Sequence, residues 1–507
     1  MGVLNNIFKW IILERVKEID EFSRNPHSKQ ERLLDYLVQN GTDTEWGKYY
    51  GYKKIRSYKE FADKVPLQDY NSLKPYIERM MAGEQNIVWP TDINWFAKSS
   101  GTTDDKSKFI PVSKESMMDC HYKAGKDMYA LYYNQYPNAN LVDGKSLVLG
   151  GSHQVNKLNE NSFYGDLSAV LMQNLPIWAE AKRTPVLSIA LMDNWEQKIE
   201  KMARAILKNK VTNVLGIPTW TTILFRRMLE MTGKNNISEI WPMLELYVHG
   251  GVSFDPYRKL FRELLPSDNM HYMETYNASE GFFAMQDSAD ANDMLLMLDY
   301  GIFYEFIPVD GPGENENTPV PLEDVELNRN YALVISTNSG LWRYKIGDTV
   351  RFTSKNPYRI KISGRTKHYI NAFGEELMIE NAEKAMAIAC EHTNSIVTDF
   401  TAAPVFFSRD GNGAHEWLIE FEKDPHDFQE FIMHLDETLK QLNSDYEAKR
   451  FKDMALQSPI VRKLNKGTFY EWMKKRGKLG GQNKVPRLSN SREFVEDILA
   501  FTGKHHE

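Results

Sequence analysis

The chain has 507 residues, of which 42% are hydrophobic and 26% are charged, and its formal net charge is −7 at pH 7. This composition excludes a disordered or fibrous chain and indicates a globular protein with one large and one smaller domain. The acidic balance argues against a nucleic-acid-binding surface, and Cys120 and Cys390 are too few for a disulfide framework or a zinc knuckle.

The first segment, "MGVLNNIFKWIILERVKEI", is apolar but is interrupted by Lys9, Glu14 and Arg15. It has no small-residue cleavage site, and it predicts an amphipathic helix docked on the protein body, with a membrane-surface helix as the alternative. No stretch reaches the roughly 18 apolar residues that a membrane span requires. We therefore expect a cytoplasmic protein, monomeric or weakly dimeric, that binds neither membrane nor nucleic acid.

The segment "FAKSSGTTDDKSKFIPVS" at 96–113 follows an apolar stretch, "INWFA", that predicts a strand. Backbone N–H groups of a glycine-containing turn form an anion-binding concavity, and neighbouring hydroxyls add donors. The segment lacks the spacing of a Walker A loop, and an ordinary Ser/Thr turn is the alternative. The candidate phosphate-binding residues are Ser99, Ser100, Gly101, Thr102 and Thr103.

From about residue 145 to 340, strand-like segments alternate with helical patterns, which predicts a largely parallel sheet covered by helices on both faces. The strand-like segments are "KSLVLGG", "NVLGIPTW", "LELYVHGG", "HYMETYN" and "YALVIST". The clearest helix has its periodic apolar residues at 257–265, with Asp255 as its expected N-cap and Pro256 as its first residue. Ligands in such sheets bind at the carboxyl ends of strands.

Three further turns carry candidate functional groups. Glu280 in "METYNASEGFFA" offers an oxygen ligand for a hard cation such as Mg²⁺, Asp348 in "LWRYKIGDTVRF" offers an acceptor for ribose hydroxyls, and Arg365 lies beside an expected hinge. Plain surface or hairpin turns are the alternatives. The acidic segment at 308–324 is expected to be a surface hairpin.

After about residue 355 the sequence pattern changes to that of a smaller α+β unit. Alternating Trp417, Ile419 and Phe421 predict a half-buried strand, and an apolar face from Phe428 to Leu442 predicts a long helix. We therefore place a large domain at 1–362 and a small C-terminal domain at 363–507.

In this order, the turns resemble the adenylate-forming superfamily of acyl and aryl ligases. The segments "SSGTT", "YNASEG", "WRYKIGD" and "GGQNKVPRL" most resemble the GH3 acyl-acid amido synthetases, known from plants and also found in bacteria. The resemblance covers roughly residues 90–490. Because the chain has no plant-like extensions, it resembles a bacterial member.

The resemblance implies an ATP-dependent ligase of α/β architecture that adenylates a small carboxylic acid and passes the acyl group to an amino acid. It implies that Ser99 to Thr103 bind ATP phosphates and that Lys108 supplies charge. It further implies that Gly250, Gly251 and Val252 line the adenine slot and that Tyr276 stacks on adenine. Asp348 would bind the ribose, and Arg365 would contact the nucleotide. Ser279 would lie near the phosphate or carboxylate, Glu280 would bind Mg²⁺, and Lys484 would be the mobile lysine for adenylation.

Two departures from the family pattern concern charge. Asp104 and Asp105 stand beside the expected triphosphate and would repel it unless they point outward or help to position Mg²⁺. Several family members have a lysine near position 376, where this chain has Glu376, so Lys484 is the remaining candidate for the adenylating lysine.

Two alternative functions follow from the same residues. A thioester-forming ligase such as an acyl-CoA ligase would share the first step but use a thiol acceptor. A non-catalytic relative would bind nucleotide or acyl ligand as a sensor, which the acidic pair and Glu376 would favour. His153 and His249 lie at expected strand ends and are interpreted as structural histidines, with contact to substrate as the alternative.

Overall fold

The computed structural model describes residues 3–100, 107–150, 155–192, 194–288, 291–309, 318–365, 369–408, 411–476 and 486–503. Its α-helices are α1 (Val3–Arg24), α2 (Pro26–Gly41), α3 (Glu45–Tyr49), α4 (Tyr58–Lys64), α5 (Tyr70–Met81), α6 (Tyr122–Gln135), α7 (Leu167–Gln173), α8 (Ile177–Lys182), α9 (Leu187–Ala190), α10 (Trp195–Ile206), α11 (Pro218–Thr232), α12 (Arg258–Leu264), α13 (Ile379–His392), α14 (Phe428–Leu442), α15 (Ser444–Arg450), α16 (Thr468–Lys475) and α17 (Glu493–Gly503). Among the described residues, every helix is too short or too polar to cross a membrane.

The strands are β1 (Trp95–Ser100), β2 (Ser107–Val112), β3 (Lys145–Val148), β4 (Asn156–Lys157), β5 (Phe163–Asp166), β6 (Arg183–Thr184), β7 (Val211–Leu215), β8 (Leu246–Gly250), β9 (His271–Ala278), β10 (Gly281–Met285), β11 (Met294–Leu296), β12 (Ile302–Pro308), β13 (Val320–Pro321), β14 (Asn330–Thr337), β15 (Tyr344–Lys355), β16 (Tyr358–Arg365), β17 (Tyr369–Ile370), β18 (Leu377–Met378), β19 (Ile396–Val405), β20 (Ala414–Lys423) and β21 (Ile460–Leu464).

A mixed twelve-stranded sheet forms the body, in the order β13-β12-β14-β15-β16-β11-β10-β9-β8-β7-β3-β6. From β6 to β9 neighbouring strands are parallel, and from β9 to β13 they are antiparallel. The predicted parallel arrangement is therefore right for the first half and wrong for "YALVIST". That segment is β14, and the short turn joining it to β15 permits only an antiparallel pair.

The N-terminal helix α1 docks on the body, as predicted. Ile12, Ile19 and Phe22 are buried in the main core. The Arg15 guanidinium donates to the carboxylates of Asp127 and Asp299 at 2.9 and 2.8 Å. This charged contact fixes the amphipathic helix against the protein.

Two local predictions in the large domain have different outcomes. The helix expected at 257–265 begins with a 3-10 turn, Asp255–Tyr257, and Asp255 accepts from the Arg258 side chain at 2.8 Å rather than capping backbone N–H groups. The segment at 308–324 joins β12 to β13, which pair as an antiparallel hairpin. Residues 310–317 of that connection lie outside the described residues.

The C-terminal part contains the sheet β19-β20-β21. The strand β20 is buried on both faces over most of its length, so the prediction of a half-buried strand was wrong. Trp417 and Ile419 face the core that includes α13 and α14, whereas Leu418 packs with residues of α16 and α17. Helices on both sides of the sheet explain the difference.

The two parts of the chain share one apolar core. Trp220 and Phe261 of the large part belong to the same buried cluster as Phe373 and Trp417 of the C-terminal part. Strand β16 continues through the predicted boundary at residue 362 as far as Arg365. The C-terminal part therefore packs closely against the parallel half of the large sheet.

Candidate active site

A cleft of about 1460 Å³ lies where the large sheet, the β1–β2 hairpin and the C-terminal part meet. Residues from all three regions line it. Those named from the sequence are Ser99, Lys108, Gly251, Val252, Tyr276, Ser279, Glu280 and Asp348. The structure thus brings together candidates from turns that are widely separated in the chain.

The predicted phosphate-binding segment forms the β1–β2 hairpin. Ser99 and Lys108 are register partners on its two strands, and both line the cleft. Ser100 ends β1. The hairpin tip, with Gly101, Thr102 and Thr103 as well as Asp104 and Asp105, lies outside the described residues. The described strands of the hairpin therefore reach the cleft at Ser99 and Lys108.

The turn after β8 forms another wall. Gly251 has φ +78°, a conformation that favours glycine, and lies on the cleft beside buried Val252. Gly250 lies behind them, where a Cβ atom would come within 2.4 Å of the Thr275 carbonyl oxygen. His249 is buried and stacks on Phe254 at 4.0 Å. Burial lowers the His249 pKa to about 3. The ring lines the cleft, and its Nδ1 has no hydrogen-bond partner among the described residues.

Tyr276 and Asp348 form a direct pair across the sheet. The Tyr276 hydroxyl donates to Asp348 Oδ2 at 2.8 Å, and its ring packs against Phe283. Asp348 is mostly buried and lines the cleft with one edge. Tyr276 therefore orients the Asp348 carboxylate, a role that the sequence did not reveal. Arg365 is the strand partner of Asp348 in the β15–β16 register.

Glu280 lies in the tight turn between β9 and β10, next to Ser279, and both line the cleft. Burial of the carboxylate raises the Glu280 pKa to about 7. The charge of Lys108 opposes this shift, and the charges of Asp348 and Glu376 add to it. Glu280 thus holds a carboxylate that would gain from a nearby cation.

The C-terminal part closes the cleft with the loop 371–376. The Asn371 side chain donates to the Gly251 carbonyl oxygen at 2.9 Å, and the Tyr257 hydroxyl donates to the Ala372 carbonyl oxygen at 2.8 Å. Glu376, with φ +40°, lines the cleft. Lys484 lies outside the described residues.

A buried pair holds this loop from behind, and sequence analysis missed it. The Glu375 carboxylate accepts from the backbone N–H groups of Ala372 and Phe373 at 3.2 and 2.7 Å and lies 2.8 Å from His415 Nε2. Both side chains are fully buried. The adjacent glutamates in "AFGEEL" are the sequence feature that could have indicated a buried carboxylate, but the sequence does not show which of them faces inward.

The cleft fits Mg²⁺ that arrives with a nucleotide. Within the described ranges, no group of three or more His, Cys, Asp or Glu residues could hold a metal ion. Mg²⁺ usually keeps several waters and binds one or two carboxylates together with substrate phosphates. The Glu280 carboxylate, near Lys108, could serve as such a ligand.

The sequence matches three domain models of one family in chain order. They are the GH3 family N-terminal domain over residues 15–270, the GH3 family central domain over residues 295–365 and the GH3 family C-terminal domain over residues 380–493. Together they cover most of the chain.

Two characterised relatives align over nearly their whole length. Indole-3-acetic acid-amido synthetase GH3.3 of Arabidopsis thaliana is 22% identical over 567 residues, covering 96% of this chain and 93% of that protein. Jasmonoyl–L-amino acid synthetase GH3.5 of Oryza sativa subsp. japonica is 24% identical over 579 residues, covering 96% of both.

The solved structure of GH3.15 acyl acid amido synthetase superposes with a TM-score of 0.61 at 17% identity. The superposition covers 96% of this chain and 95% of that one. It shows that the two chains share a fold and confirms the α/β architecture with a C-terminal domain.

Proposed function

This chain belongs to the GH3 family, and we propose that it is an ATP-dependent acyl-acid amido synthetase. It would adenylate a small carboxylic acid, release pyrophosphate, and transfer the acyl group to the amine of an amino acid. The observation that carries the proposal is one cleft lined by Ser99, Lys108, Glu280 and Asp348, closed by the C-terminal part.

The reaction needs two steps because a carboxylic acid passes its proton to an amine at neutral pH, and the resulting carboxylate and ammonium group do not form an amide. Attack of the carboxylate on the α-phosphorus of ATP creates a carbonyl with a good leaving group, AMP. The protein must therefore position two substrates and balance negative charge as pyrophosphate departs.

Nucleotide binding is assigned to the large domain. Asp348, oriented by Tyr276, would accept from the ribose hydroxyls, and the turn at Gly250, Gly251 and Val252 would lie along the adenine. Arg365, next to Asp348 in the strand register, would contact the nucleotide from the domain junction. Tyr276 would also offer its ring to the base.

Charge neutralisation is assigned to the hairpin and its neighbours. Residues Ser99 to Thr103 and Ser279 would bind phosphate oxygens, with Lys108 and Lys484 supplying positive charge. Glu280 would hold Mg²⁺, which when bound supplies Lewis-acid stabilisation of the phosphates. A cation there would return the Glu280 carboxyl group to its ionised form, since its raised pKa comes from burial among like charges.

The remaining features of the proposal concern the whole protein. The small domain at 363–507 would turn relative to 1–362 between the half-reactions, as two chemistries share one cleft. We place the enzyme in the cytoplasm as a monomer or weak dimer that acts on small molecules, not on nucleic acid or membranes, in keeping with its net charge of −7.

Acid-dependent exchange of labelled pyrophosphate into ATP tests the first half-reaction. A panel of acids, including indole-3-acetate, jasmonate and benzoates, is tested with Mg²⁺, and each amino acid and coenzyme A are then added separately. The proposal predicts exchange with at least one acid and amino-acid-dependent release of AMP. Stimulation by coenzyme A alone would support a thioester-forming ligase, and ATP binding without any exchange would support a sensor.

A further inference from the structure

We propose that Asp445 receives the amine acceptor: its carboxylate binds the ammonium group and takes the proton whose loss makes the nitrogen nucleophilic. This inference rests on the proposed amide-forming function and adds a catalytic residue to its second half-reaction. It assigns the amine site to the C-terminal part of the chain.

The position of Asp445 is the first argument. Asp445 lines the same cleft as Ser99, Lys108 and Glu280, although it lies far from them in sequence. The preceding Ser444 Oγ is 3.4 Å from Ser107 Oγ at the start of β2. Asp445 therefore faces the reaction cleft beside the hairpin proposed to bind phosphates.

Two bonds of Asn443 hold this segment in place. The Asn443 side-chain oxygen accepts from the backbone N–H groups of Asp445 and Tyr446 at 2.9 and 2.8 Å. Its Nδ2 group donates to the Glu376 carbonyl oxygen at 3.0 Å. Asp445 is thus fixed next to the loop 371–376 that closes the cleft.

The Asp445 carboxylate remains available to a ligand. No side chain or backbone group of the described residues donates a hydrogen bond to it. Asp436 of the same domain provides a contrast: its carboxylate accepts from Arg450 and Tyr446 at 2.7 to 2.8 Å and pairs with Lys440. Asp436 is a structural carboxylate, whereas Asp445 faces the cleft without such donors.

The charges around Asp445 are mixed. Lys449 on its own helix and Lys98 on β1 favour the ionised carboxylate, whereas Glu376 of the closing loop and Asp166 at the end of β5 oppose it. Burial has the largest effect and raises the Asp445 pKa to about 7. A proton acceptor works best when its pKa is near the operating pH, as here.

Amide formation begins with a proton transfer to Asp445. The ammonium group passes one proton to the Asp445 carboxylate, and the free amine attacks the carbonyl carbon of the acyl-adenylate. The C–N bond forms, the bond between the carbonyl carbon and the phosphate oxygen breaks, and AMP leaves. The second nitrogen proton goes to solvent, and Asp445 then releases its own proton.

The test compares the two half-reactions in Asp445→Asn. The acid with the fastest pyrophosphate exchange is used to form the acyl-adenylate on the enzyme, and single-turnover transfer is followed with the preferred amino acid. We expect transfer at pH 7 to slow at least about 100-fold more than exchange does, the scale of general-base catalysis. Asp445→Glu retains a carboxylate and should recover part of the rate.

Two further readouts separate proton transfer from a structural role. Hydroxylamine, which is largely unprotonated at neutral pH, should accept the acyl group from Asp445→Asn nearly as well as from the wild type. The transfer rate of wild type should level off above about pH 7, whereas that of Asp445→Asn should keep rising toward the pKa of the amine. Glu447→Gln, an exposed change on the same helix, serves as the control.

Equal slowing of both half-reactions, or unchanged transfer to amino acids, would overturn the assignment of Asp445. A wild-type enzyme that exchanges pyrophosphate but transfers to no amine would instead overturn the proposed amide-forming function. The two failures are therefore distinguishable.

Discussion

At the scale of single residues, Glu280 is a carboxyl group whose ionised form is unfavourable in the cleft. Its carboxylate is held among Asp348 and Glu376, with Lys108 as the opposing cation, and burial raises its pKa to about 7 from an ordinary 4.5. Between those pH values the folded protein keeps a proton that the unfolded chain releases. The ionised form therefore costs stability at and above pH 7.

We predict that Glu280→Gln is more stable than the wild type at pH 8, by about 1 to 3 kcal/mol in the free energy of unfolding, and nearly equal to it at pH 4.5. The reason is that the substituted amide carries no charge at either pH, whereas the Glu280 carboxyl group is protonated only at the lower one. Urea unfolding at the two pH values measures the difference. The same variant should lose pyrophosphate exchange because it lacks the proposed Mg²⁺ ligand.

The control is Glu263→Gln, since Glu263 is exposed on α12 and away from the cleft. Its stability should equal that of the wild type at both pH values. A Glu280→Gln variant whose stability difference from the wild type does not change with pH would show that the carboxylate is not strained in the folded protein.

The sequence predicted the cleft residues that come from the large domain, but it did not predict Asp445 from the C-terminal part. Ser99, Glu280 and Asp348 stand in sequence segments with recognisable spacing, and all three line one cleft, Ser99 and Asp348 from strands and Glu280 from a turn. Asp445 belongs to no such segment, and its neighbours contact residues far away in the chain, as Ser444 does with Ser107, 337 positions away. Sequence patterns do not encode contacts of that range.

At the scale of elements, the loop 371–376 connects the C-terminal part to the Gly251 turn of the large domain. Asn371 donates to Gly251 at 2.9 Å and accepts from the Glu376 backbone N–H at 3.3 Å. The buried Glu375 carboxylate fixes the loop from the other side. The loop is therefore held at both faces in the conformation that closes the cleft.

We predict that Asn371→Ala weakens ATP binding and lowers the free energy of unfolding by about 1 to 2 kcal/mol, since two hydrogen bonds are lost. ATP affinity is measured by calorimetric titration and stability by urea unfolding. Asn138→Ala, at an exposed position, should change neither quantity. ATP affinity equal to that of the wild type would show that the contact with Gly251 does not shape the nucleotide site.

Element prediction succeeded where local periodicity decided the structure. The apolar face of α14 and the strands of the parallel half follow the sequence pattern. The mostly buried β20 did not, because burial on a second face depends on packing partners. Those partners are set by tertiary structure. The antiparallel β14 did not either, although its short connection to β15 permits only an antiparallel pair.

At the scale of the whole molecule, the shared core sets the cost of moving the C-terminal part. Trp195 and Trp220 stack at 3.7 Å, and the Lys449 ammonium lies 5.3 Å from the Trp220 ring. The Thr219 hydroxyl donates to the Phe373 carbonyl oxygen at 3.1 Å. A rotation of the C-terminal part between the half-reactions must break or shift these contacts. Ligand binding therefore has to supply the free energy that separates the two arrangements.

We predict one cooperative thermal transition without ligands, with equal calorimetric and van't Hoff enthalpies, because a single buried cluster spans both parts. Trp220→Ala should lower the free energy of unfolding by about 3 to 5 kcal/mol and keep the transition single. Exposed Tyr470→Ala, in α16, is the control. Two separate transitions would instead show that the C-terminal part unfolds independently of the large part.

The central claim is that the cleft activates a carboxylic acid by attaching it to the α-phosphorus of ATP. The most direct measurement follows ¹⁸O from a doubly labelled acid into the products of a complete reaction with an amino acid, by mass spectrometry. Activation through an acyl-adenylate predicts one ¹⁸O atom in AMP and none in pyrophosphate. Label in inorganic phosphate, with ADP as the nucleotide product, would contradict it by showing activation through an acyl phosphate.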